Sequence, residues 1–146
     1  MLFRSLLDAA GLDVPETFEG HSIMPLVRGE SVDWREEVLI QPISHALVGR
    51  AVRTDRWKYA VRAEQGVRDG GANPGRFQEA ELYDLHYDPY ELSNLAGRKS
   101  HERVAEVMRQ RLLTRMEAIG EGRPTIDPPE PRGSGQRTVT EAEAWQ

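Results

Sequence analysis

The sequence predicts an α+β fold in which a four-stranded antiparallel sheet packs against one long C-terminal helix. A short N-terminal helix precedes the sheet, and an extended tail follows the long helix. Residues 37–85 contain short apolar runs separated by Gly, Pro and Asp, which is typical of strands and turns. Residues 101–119 carry apolar side chains every three or four positions, which is typical of an amphipathic helix. Since both elements have one apolar side to bury, we expect them to pack together.

The chain has 146 residues, a length typical of one domain. Apolar residues are unevenly distributed, because the last 26 positions contain only five of them. That stretch is rich in Pro and Gly, which favour extended or disordered chain. We therefore expect a compact domain over residues 1–120 and an extended or disordered tail over residues 121–146.

The chain opens on a short amphipathic helix. Residues 2–10 have apolar side chains at helical spacing, and Gly11 is a residue type that commonly ends helices. No N-cap residue precedes this helix, so we expect it to be the end of a longer element, with apolar surface left uncovered. The side chains expected at that surface are Leu2, Phe3 and Leu6. In the ordered loop that follows, over residues 12–36, Ser22 is expected to cap a short turn.

Four strands are expected after this loop. They cover residues 37–41, 48–54, 57–61 and 81–85. The tight connection at residues 54–56 makes the second and third strands a hairpin. Trp57, Tyr59 and Val61 alternate along one strand, which favours burial in the sheet core over an exposed stacking platform for a base or sugar. The Gly-rich residues 62–80 are expected to form a long loop that is either mobile or held by a partner.

The longest predicted element is the helix over residues 101–119. Ser100 is expected to cap its start, and Gly120 follows its end. One face of this helix is apolar and is expected to pack on the sheet. The side chains expected in the core are Val104, Val107, Met108 and Leu112.

Composition excludes several functional classes. The formal net charge is −5 and the sequence pI is about 5.4, which argues against nonspecific nucleic-acid binding. The chain has no Cys, so a disulfide framework, a thiolate zinc site and a Cys nucleophile are excluded. No apolar run is long enough for a membrane span, so we expect no membrane partner. Residues 1–10 lack the features of a signal peptide, which makes the cytoplasm the default location.

Two charged clusters are candidates for function. Basic residues concentrate on and beside the predicted hairpin, where they form either a solvated strand face or an anion contact. They are Arg50, Arg53, Arg56 and Lys58. Carboxylates and one imidazole gather at a strand end and the following Pro turn, where Asp commonly caps turns and only rarely binds metal. They are Asp84, His86, Asp88 and Glu91.

Four segments, taken in order, are similar to a known family. They read LLDAAGL at residues 6–12, GHSIMPL at 20–26, RTDRWKY at 53–59, and ELYDL followed by DPYELSNL within 81–95. In this order they resemble the C-terminal region of type I sulfatases, members of the alkaline-phosphatase-like superfamily. The resemblance covers about residues 2–119. It implies a small subdomain, with a four-stranded antiparallel sheet and a packed C-terminal helix, that follows a large catalytic α/β domain.

The resemblance also implies what this chain lacks. In the family, a Cys or Ser within a Cys/Ser-x-Pro-x-Arg motif becomes formylglycine, which acts beside a divalent cation such as calcium. This chain has no Cys, and none of its Ser residues is followed by that pattern. We therefore expect no cofactor in this chain, no catalytic residue and no activity from the chain alone. The parent enzyme would be a sulfuric ester hydrolase whose catalytic domain supplies both the formylglycine and the divalent cation.

Three residues are candidates for substrate contact in such a parent enzyme. Ser44 and His45 form a polar pair in the loop between the first two predicted strands, and the resemblance implies that a polar loop of this subdomain reaches the mouth of the active site. Arg50 lies beside it and would favour an anionic ester. The expected role of the subdomain is structural and substrate-lining. Its expected partner is a catalytic sulfatase domain in cis or in trans, and self-association is expected when that partner is missing.

Two other functions remain open at this stage. The chain could be an independent protein-interaction module that is not attached to a catalytic domain. It could also be a small hydrolase that uses Asp84, His86 and Asp88. The sequence leaves open the parent's substrate, and it does not separate a sulfatase from a phosphonate hydrolase or a phosphodiesterase of the same superfamily.

Overall fold

The computed structural model describes residues 2–18, 20–44, 47–63, 74–133 and 139–146. For Leu2, Ile43, Ser44 and Leu47 it describes the backbone alone. The chain divides into two compact units, Met1–Arg35 and Glu36–Gln146.

The first unit contains two short helices. Helix α1 covers Leu2–Ala9 and ends before Gly11, whose φ of 68° is the left-handed conformation expected of a glycine after a helix. Helix α2 covers Met24–Val27, and its N-cap residue is Ile23 rather than the predicted Ser22. The Ser22 hydroxyl lies one position earlier and accepts a hydrogen bond from the Met24 amide at 3.1 Å. Within this unit the Ile23 amide also donates to the Ser5 hydroxyl at 3.1 Å.

The second unit is built on a mixed sheet, which corrects the prediction of four antiparallel strands. Its strands are β1 (Val38–Ile40), β2 (Ile43–Ser44), β3 (Leu47–Arg53), β4 (Trp57–Arg62), β5 (Arg76–Asp84) and β6 (Thr125–Asp127). Five of them follow the order β1-β3-β4-β5-β6, and β2 pairs with β3 outside this path. All neighbours are antiparallel except β5 and β6, which are parallel. The parallel strand, β6, follows the long helix and lies in the Pro-rich segment, whose composition did not predict a strand.

The central hairpin of β3 and β4 agrees with the prediction. The Thr54 amide donates to the Trp57 carbonyl at 2.9 Å, and the Thr54 hydroxyl accepts from the Trp57 amide at 2.9 Å, so the turn is closed from both sides. Side chains of β4 alternate between the two faces of the sheet. Trp57, Tyr59 and Val61 are fully buried as predicted.

Strand β5 starts earlier than predicted and contains a bulge. Residues 76–80 belong to the strand, whereas they were expected to be part of the loop over residues 62–80; residues 64–73 of that loop lie outside the described residues. The pairing with β4 skips one residue, because Ala60 pairs with Glu81 while Val61 pairs with Glu79. The skipped residue, Ala80, reverses the alternation of side chains along β5. Phe77 and Glu79 therefore face the core together with Leu82.

A long helix covers one face of this sheet. Helix α3 covers Glu102–Ala118 and is preceded by a short 3₁₀ helix at Lys99–His101. Its predicted core side chains Val104, Val107, Met108 and Leu112 are all buried. The predicted cap is wrong, because the 3₁₀ turn makes His101 the N-cap residue of α3, and no side chain caps the helix. The Ser100 hydroxyl instead lies 2.9 Å from Nδ1 of His101.

The segment after Gly120 was expected to be extended or disordered, but its described residues contribute to the folded unit. It contains β6 and a second short helix, α4 (Glu141–Ala144), whose Thr140 and Glu143 form a reciprocal capping box. Val139 and Ala144 are buried in the same core as Trp57. A Pro-rich segment makes few hydrogen bonds of its own, so its order comes from pairing and packing with residues far away in the chain.

Among the helices that the structure describes, none is both long and apolar enough to cross a membrane.

Candidate functional site

The loop predicted to contact substrate lies between β2 and β3. Ser44 is the last residue of β2 and pairs with Leu47, while Ile43 pairs with Val48. The amide of Gly49 donates to the Pro42 carbonyl at 3.0 Å, which closes the base of this connection. His45, the other member of the predicted polar pair, lies outside the described residues, so its assignment stays a prediction.

Arg50, the third predicted contact, is buried in the middle of β3. Its Nε and Nη2 atoms donate to the two carboxylate oxygens of Glu121, both at 2.7 Å, and Nη1 donates to the Gly49 carbonyl at 2.6 Å. This forked geometry is the strongest form of an Arg–carboxylate contact. The Gln41 side-chain amide also donates to Glu121 at 2.8 Å. The pair therefore joins β3 to the segment that follows α3, and the predicted contact of Arg50 with substrate stays a prediction.

The basic residues singled out in the sequence do not form one patch. Arg50 pairs across the sheet with Val61, so it lies on the face covered by α3. Arg53 and Lys58 pair with each other and lie on the opposite face. Lys58 forms an ion pair with Glu91, and its ammonium lies 5.6 Å from the ring centre of Tyr83. The alternation of strand side chains thus separates charges that are adjacent in sequence.

Arg56 is buried at the turn between β3 and β4. Its Nε and Nη2 atoms donate to the two carboxylate oxygens of Asp84 at 3.2 and 3.0 Å. The guanidinium stacks over the Trp57 ring at 4.8 Å, and Glu143 lies 3.5 Å away. The hydrogen bonds that Arg56 donates to Asp84, together with the negative charge of that carboxylate, raise the pKa of Arg56 above its usual value, although burial acts in the opposite direction. This contact joins the hairpin to the end of β5.

The carboxylates of the predicted acidic cluster are each used by the fold. Asp84 binds Arg56 and Glu91 binds Lys58. The two carboxylate oxygens of Asp88 accept from the amides of Leu92 and Ser93 at 3.0 and 2.7 Å, so this residue caps the turn. Among the residues that the structure describes, no group of three or more His, Cys, Asp or Glu could hold a metal ion.

A buried polar network, which the sequence did not predict, lies between the sheet and α3. The carboxylate of Glu79, whose side chain is only 1% exposed, accepts from the Tyr59 hydroxyl and from Nη2 of Arg109, both at 2.8 Å. Arg109 also pairs with Glu106. Burial, and then the neighbouring charge of Glu79, raises the pKa of Tyr59 far above its usual value. Alternating patterns could not reveal Glu79 as a core residue, because the bulge at Ala80 reverses its side.

The Asn94 side chain stabilises that bulge. Its amide nitrogen donates to the Ala80 carbonyl at 2.8 Å, and its oxygen accepts from the amides of Leu82 and Ala96 at 3.1 and 2.9 Å. A bulge leaves backbone groups without ladder partners, and a side-chain amide can satisfy both a donor and an acceptor. Asn94 lies within the DPYELSNL segment noted above, so this geometry supplies a physical reason for an amide at that position.

The last residues of the chain close over the buried Trp57. The indole Nε1 of Trp57 donates to the Glu143 carbonyl at 2.8 Å, and the Arg56 Nη1 donates to the side-chain oxygen of Gln146 at 2.8 Å. The guanidinium of Arg111 on α3 lies 5.5 Å from the Trp145 ring. These contacts use Trp57 as a core and anchoring residue, in agreement with the prediction that it does not form an exposed stacking platform.

A family model described as N-sulphoglucosamine sulphohydrolase, C-terminal, matches residues 2–118. An ulvan-active sulfatase from Formosa agariphila is 28% identical over 158 residues, which span 88% of this chain and 32% of that protein. An N-acetylglucosamine-6-O-sulfatase from Bacteroides thetaiotaomicron is 24% identical over 115 residues, which span 74% of this chain and 19% of that protein.

A solved structure agrees with these sequence matches. A Bacteroides thetaiotaomicron protein assigned as a sulfatase superposes with a TM-score of 0.64 at 27% identity, over 82% of this chain and 24% of the solved chain. This chain thus spans between about a fifth and about a half of the curated relatives that it matches.

Proposed function

Because the chain belongs to the family of C-terminal domains of N-sulphoglucosamine sulphohydrolases, we propose that it acts as the C-terminal subdomain of a sulfatase-type sulfuric ester hydrolase. In this role the subdomain is structural, lines the substrate site and has no catalytic activity by itself. The observation on which the proposal rests is the family match, which spans both described units from α1 to the end of α3.

The chemistry of the chain supports a role without catalysis. Hydrolysis of a sulfate ester needs an activated nucleophile, stabilisation of the developing negative charge and a proton donor for the leaving oxygen. Arg50, Arg56 and Arg109 are held by carboxylates of the same unit, and the acidic cluster is used in ion pairs and a turn cap. In our proposal the nucleophile, as formylglycine, and a divalent cation such as calcium belong to the catalytic domain.

The apolar surface of the first unit supports a catalytic domain as partner. Phe3 is 71% exposed and Leu6 is 55% exposed on α1, the helix predicted to be left uncovered. Leu26 and Val27 on α2 are also exposed. Exposed apolar side chains of this size, gathered on two short helices, are typical of a surface that another domain covers. We propose that a catalytic sulfatase domain, in cis or in trans, covers these helices.

Reconstitution tests the proposal directly. The chain is mixed with a sulfatase catalytic domain of the same family that lacks its own C-terminal region, and hydrolysis of an aryl sulfate is followed with calcium present. We expect negligible turnover by either piece alone and restored turnover by the mixture. Metal-dependent turnover by the purified chain alone would refute the proposed division of labour, and no gain in the mixture would refute the proposed partner.

The proposed partner surface has its own test. Light scattering of the isolated chain is expected to show self-association that increases with concentration, because the exposed apolar side chains can bury each other. The double variant Phe3→Ser/Leu6→Ser is expected to remain monomeric, while Leu92→Ser, which removes an even more exposed apolar side chain from the other unit, is the control and should not reduce self-association. If the chain is strictly monomeric and binds no hydrophobic dye, the proposal that a partner domain covers this apolar surface is contradicted.

A further inference from the structure

A cavity of about 860 Å³ lies between the start of α3 and the Pro-rich segment that follows β6. Its lining includes Arg98, Lys99 and Arg132, together with the first residues of α3. The backbone holds these three basic residues close together. Arg98 and Arg132 form a parallel bridge, and the Lys99 amide donates to the Arg132 carbonyl at 3.4 Å.

Gly97 makes this close approach possible. The Arg132 amide donates to the Gly97 carbonyl at 2.7 Å, and a Cβ atom at position 97 would collide with the Glu130 carbonyl. The φ of Gly97 is 74°, a conformation that other residues rarely adopt. The segment containing Arg132 therefore packs directly against the segment containing Arg98.

The three cations have no carboxylate partner among the residues that the structure describes. Arg98 donates to the Gly133 carbonyl at 3.3 Å, and Arg132 donates to the Asn94 carbonyl at 2.9 Å. Each guanidinium is thereby oriented by one neutral acceptor and keeps most of its five N–H donors for other contacts. The ammonium of Lys99 is exposed and contacts no described acceptor. Three positive charges on adjoining backbone segments repel one another, so an anion bound among them would be favoured electrostatically.

The remaining charges of the cavity are mostly compensated. Arg103 pairs with Glu141 at 2.5 Å, and Arg109 pairs with Glu79 and Glu106. Glu102, at the first position of α3, is the one lining carboxylate without a described partner. No side chain caps α3, and the positive end of its helix dipole adds to the charges of Arg98, Lys99 and Arg132.

We propose that this cavity binds a tetrahedral oxyanion, either as free sulfate or phosphate or as a sulfate group carried by a sugar. The guanidinium groups of Arg98 and Arg132 each donate two hydrogen bonds to its oxygens, and the exposed Lys99 adds a third positive charge at the edge of the cavity. The planar guanidinium matches the geometry of such an anion, and two of them on adjacent backbone segments can grip it from two sides. This site stands independently of the proposed sulfatase function.

The test is a titration of the whole 146-residue chain, followed by the backbone amide resonances of residues 97–102. Sodium sulfate, sodium phosphate and glucose 6-sulfate are added separately at constant ionic strength. We expect saturable shifts confined to these amides and their neighbours around Arg132. Tighter binding of glucose 6-sulfate than of sulfate assigns the sugar-borne group, and equal or weaker binding assigns the free anion. Shifts spread evenly over the chain, or no saturation, would overturn the proposal.

Variants separate a specific site from general charge. Arg98→Gln/Arg132→Gln is expected to weaken binding by about tenfold or more, the effect of losing hydrogen bonds to a charged group. Lys99→Gln, an exposed change that leaves the packing intact, is expected to weaken it about twofold. Glu102→Gln is expected to tighten binding by about twofold to threefold, because it removes the unpaired carboxylate. Arg103→Gln is the matched control and should leave affinity unchanged; equal loss in this control would overturn the site.

Discussion

Replacing Glu79 by Gln probes the buried network between the sheet and α3. The substitution keeps the shape of the side chain and removes its negative charge, which Arg109 and the Tyr59 hydroxyl both contact at 2.8 Å. Removing one member of a buried ion pair costs about 3–5 kcal/mol when the partner is left without compensation. Arg109 retains Glu106, and 22% of its side chain is exposed, so we expect the free energy of unfolding to fall by about 2–3 kcal/mol.

Glu106→Gln is the matched control for this substitution. It removes the same charge from the same partner, Arg109, but the Glu106 side chain is 42% exposed where that of Glu79 is 1% exposed. Exposed pairs contribute about 0–1 kcal/mol, so the control should change stability by less than about 1 kcal/mol. The difference between the two variants therefore measures the effect of burial on one charge contact.

Urea unfolding at neutral pH provides the assay. Far-UV circular dichroism follows the loss of α3, the longest helix of the unit that contains the network. An unchanged slope with a lower midpoint would show that stability itself has changed. Equal losses in the two variants, or a loss below about 0.5 kcal/mol for Glu79→Gln, would refute the reasoning that burial makes this contact important.

Three further predictions concern Tyr59, Arg50 and His45. Because the pKa of Tyr59 is raised in the folded state, the folded chain keeps the phenol proton that the unfolded chain releases near pH 10. The contribution of Tyr59 to the free energy of unfolding is therefore fully present below pH 10, and it falls above pH 10 by about 1.4 kcal/mol per pH unit. Tyr59→Phe should flatten this alkaline fall in urea titrations, and an equally steep fall in the variant would contradict the assignment. Arg50→Gln should lower the free energy of unfolding by about 2–3 kcal/mol, because Glu121 loses its buried partner. An unchanged denaturation midpoint would contradict a stabilising role for the Arg50–Glu121 pair. In a full-length enzyme, His45→Ala should raise KM, because the substrate loses a contact that contributes roughly 1.5–3 kcal/mol of binding free energy, while kcat stays nearly constant. An unchanged KM across several sulfate esters would make His45 an ordinary surface residue. A collapse of kcat would make it a catalytic residue.

Local patterns determined much of this fold. The apolar stripe of α3, the hairpin of β3 and β4 and the buried alternation from Trp57 to Val61 are all visible in short windows, because each depends on neighbours within a few positions. The resemblance to sulfatases was likewise carried by short segments, and the family match confirms it.

Contacts between distant residues decided the rest. Strand β6 exists because residues 125–127 pair with β5, about fifty positions earlier, and nothing in their Pro-rich surroundings predicts that partner. Arg50 looked like a free cation until Glu121, which follows the long helix, proved to bind it. Glu79 was expected to lie in the loop over residues 62–80, but it belongs to β5 and faces the core, because a single skipped residue in the strand pairing reverses the side chains beyond it. A sequence window records which side chains alternate, but only the assembled sheet shows where the alternation shifts and which distant charge meets each buried one.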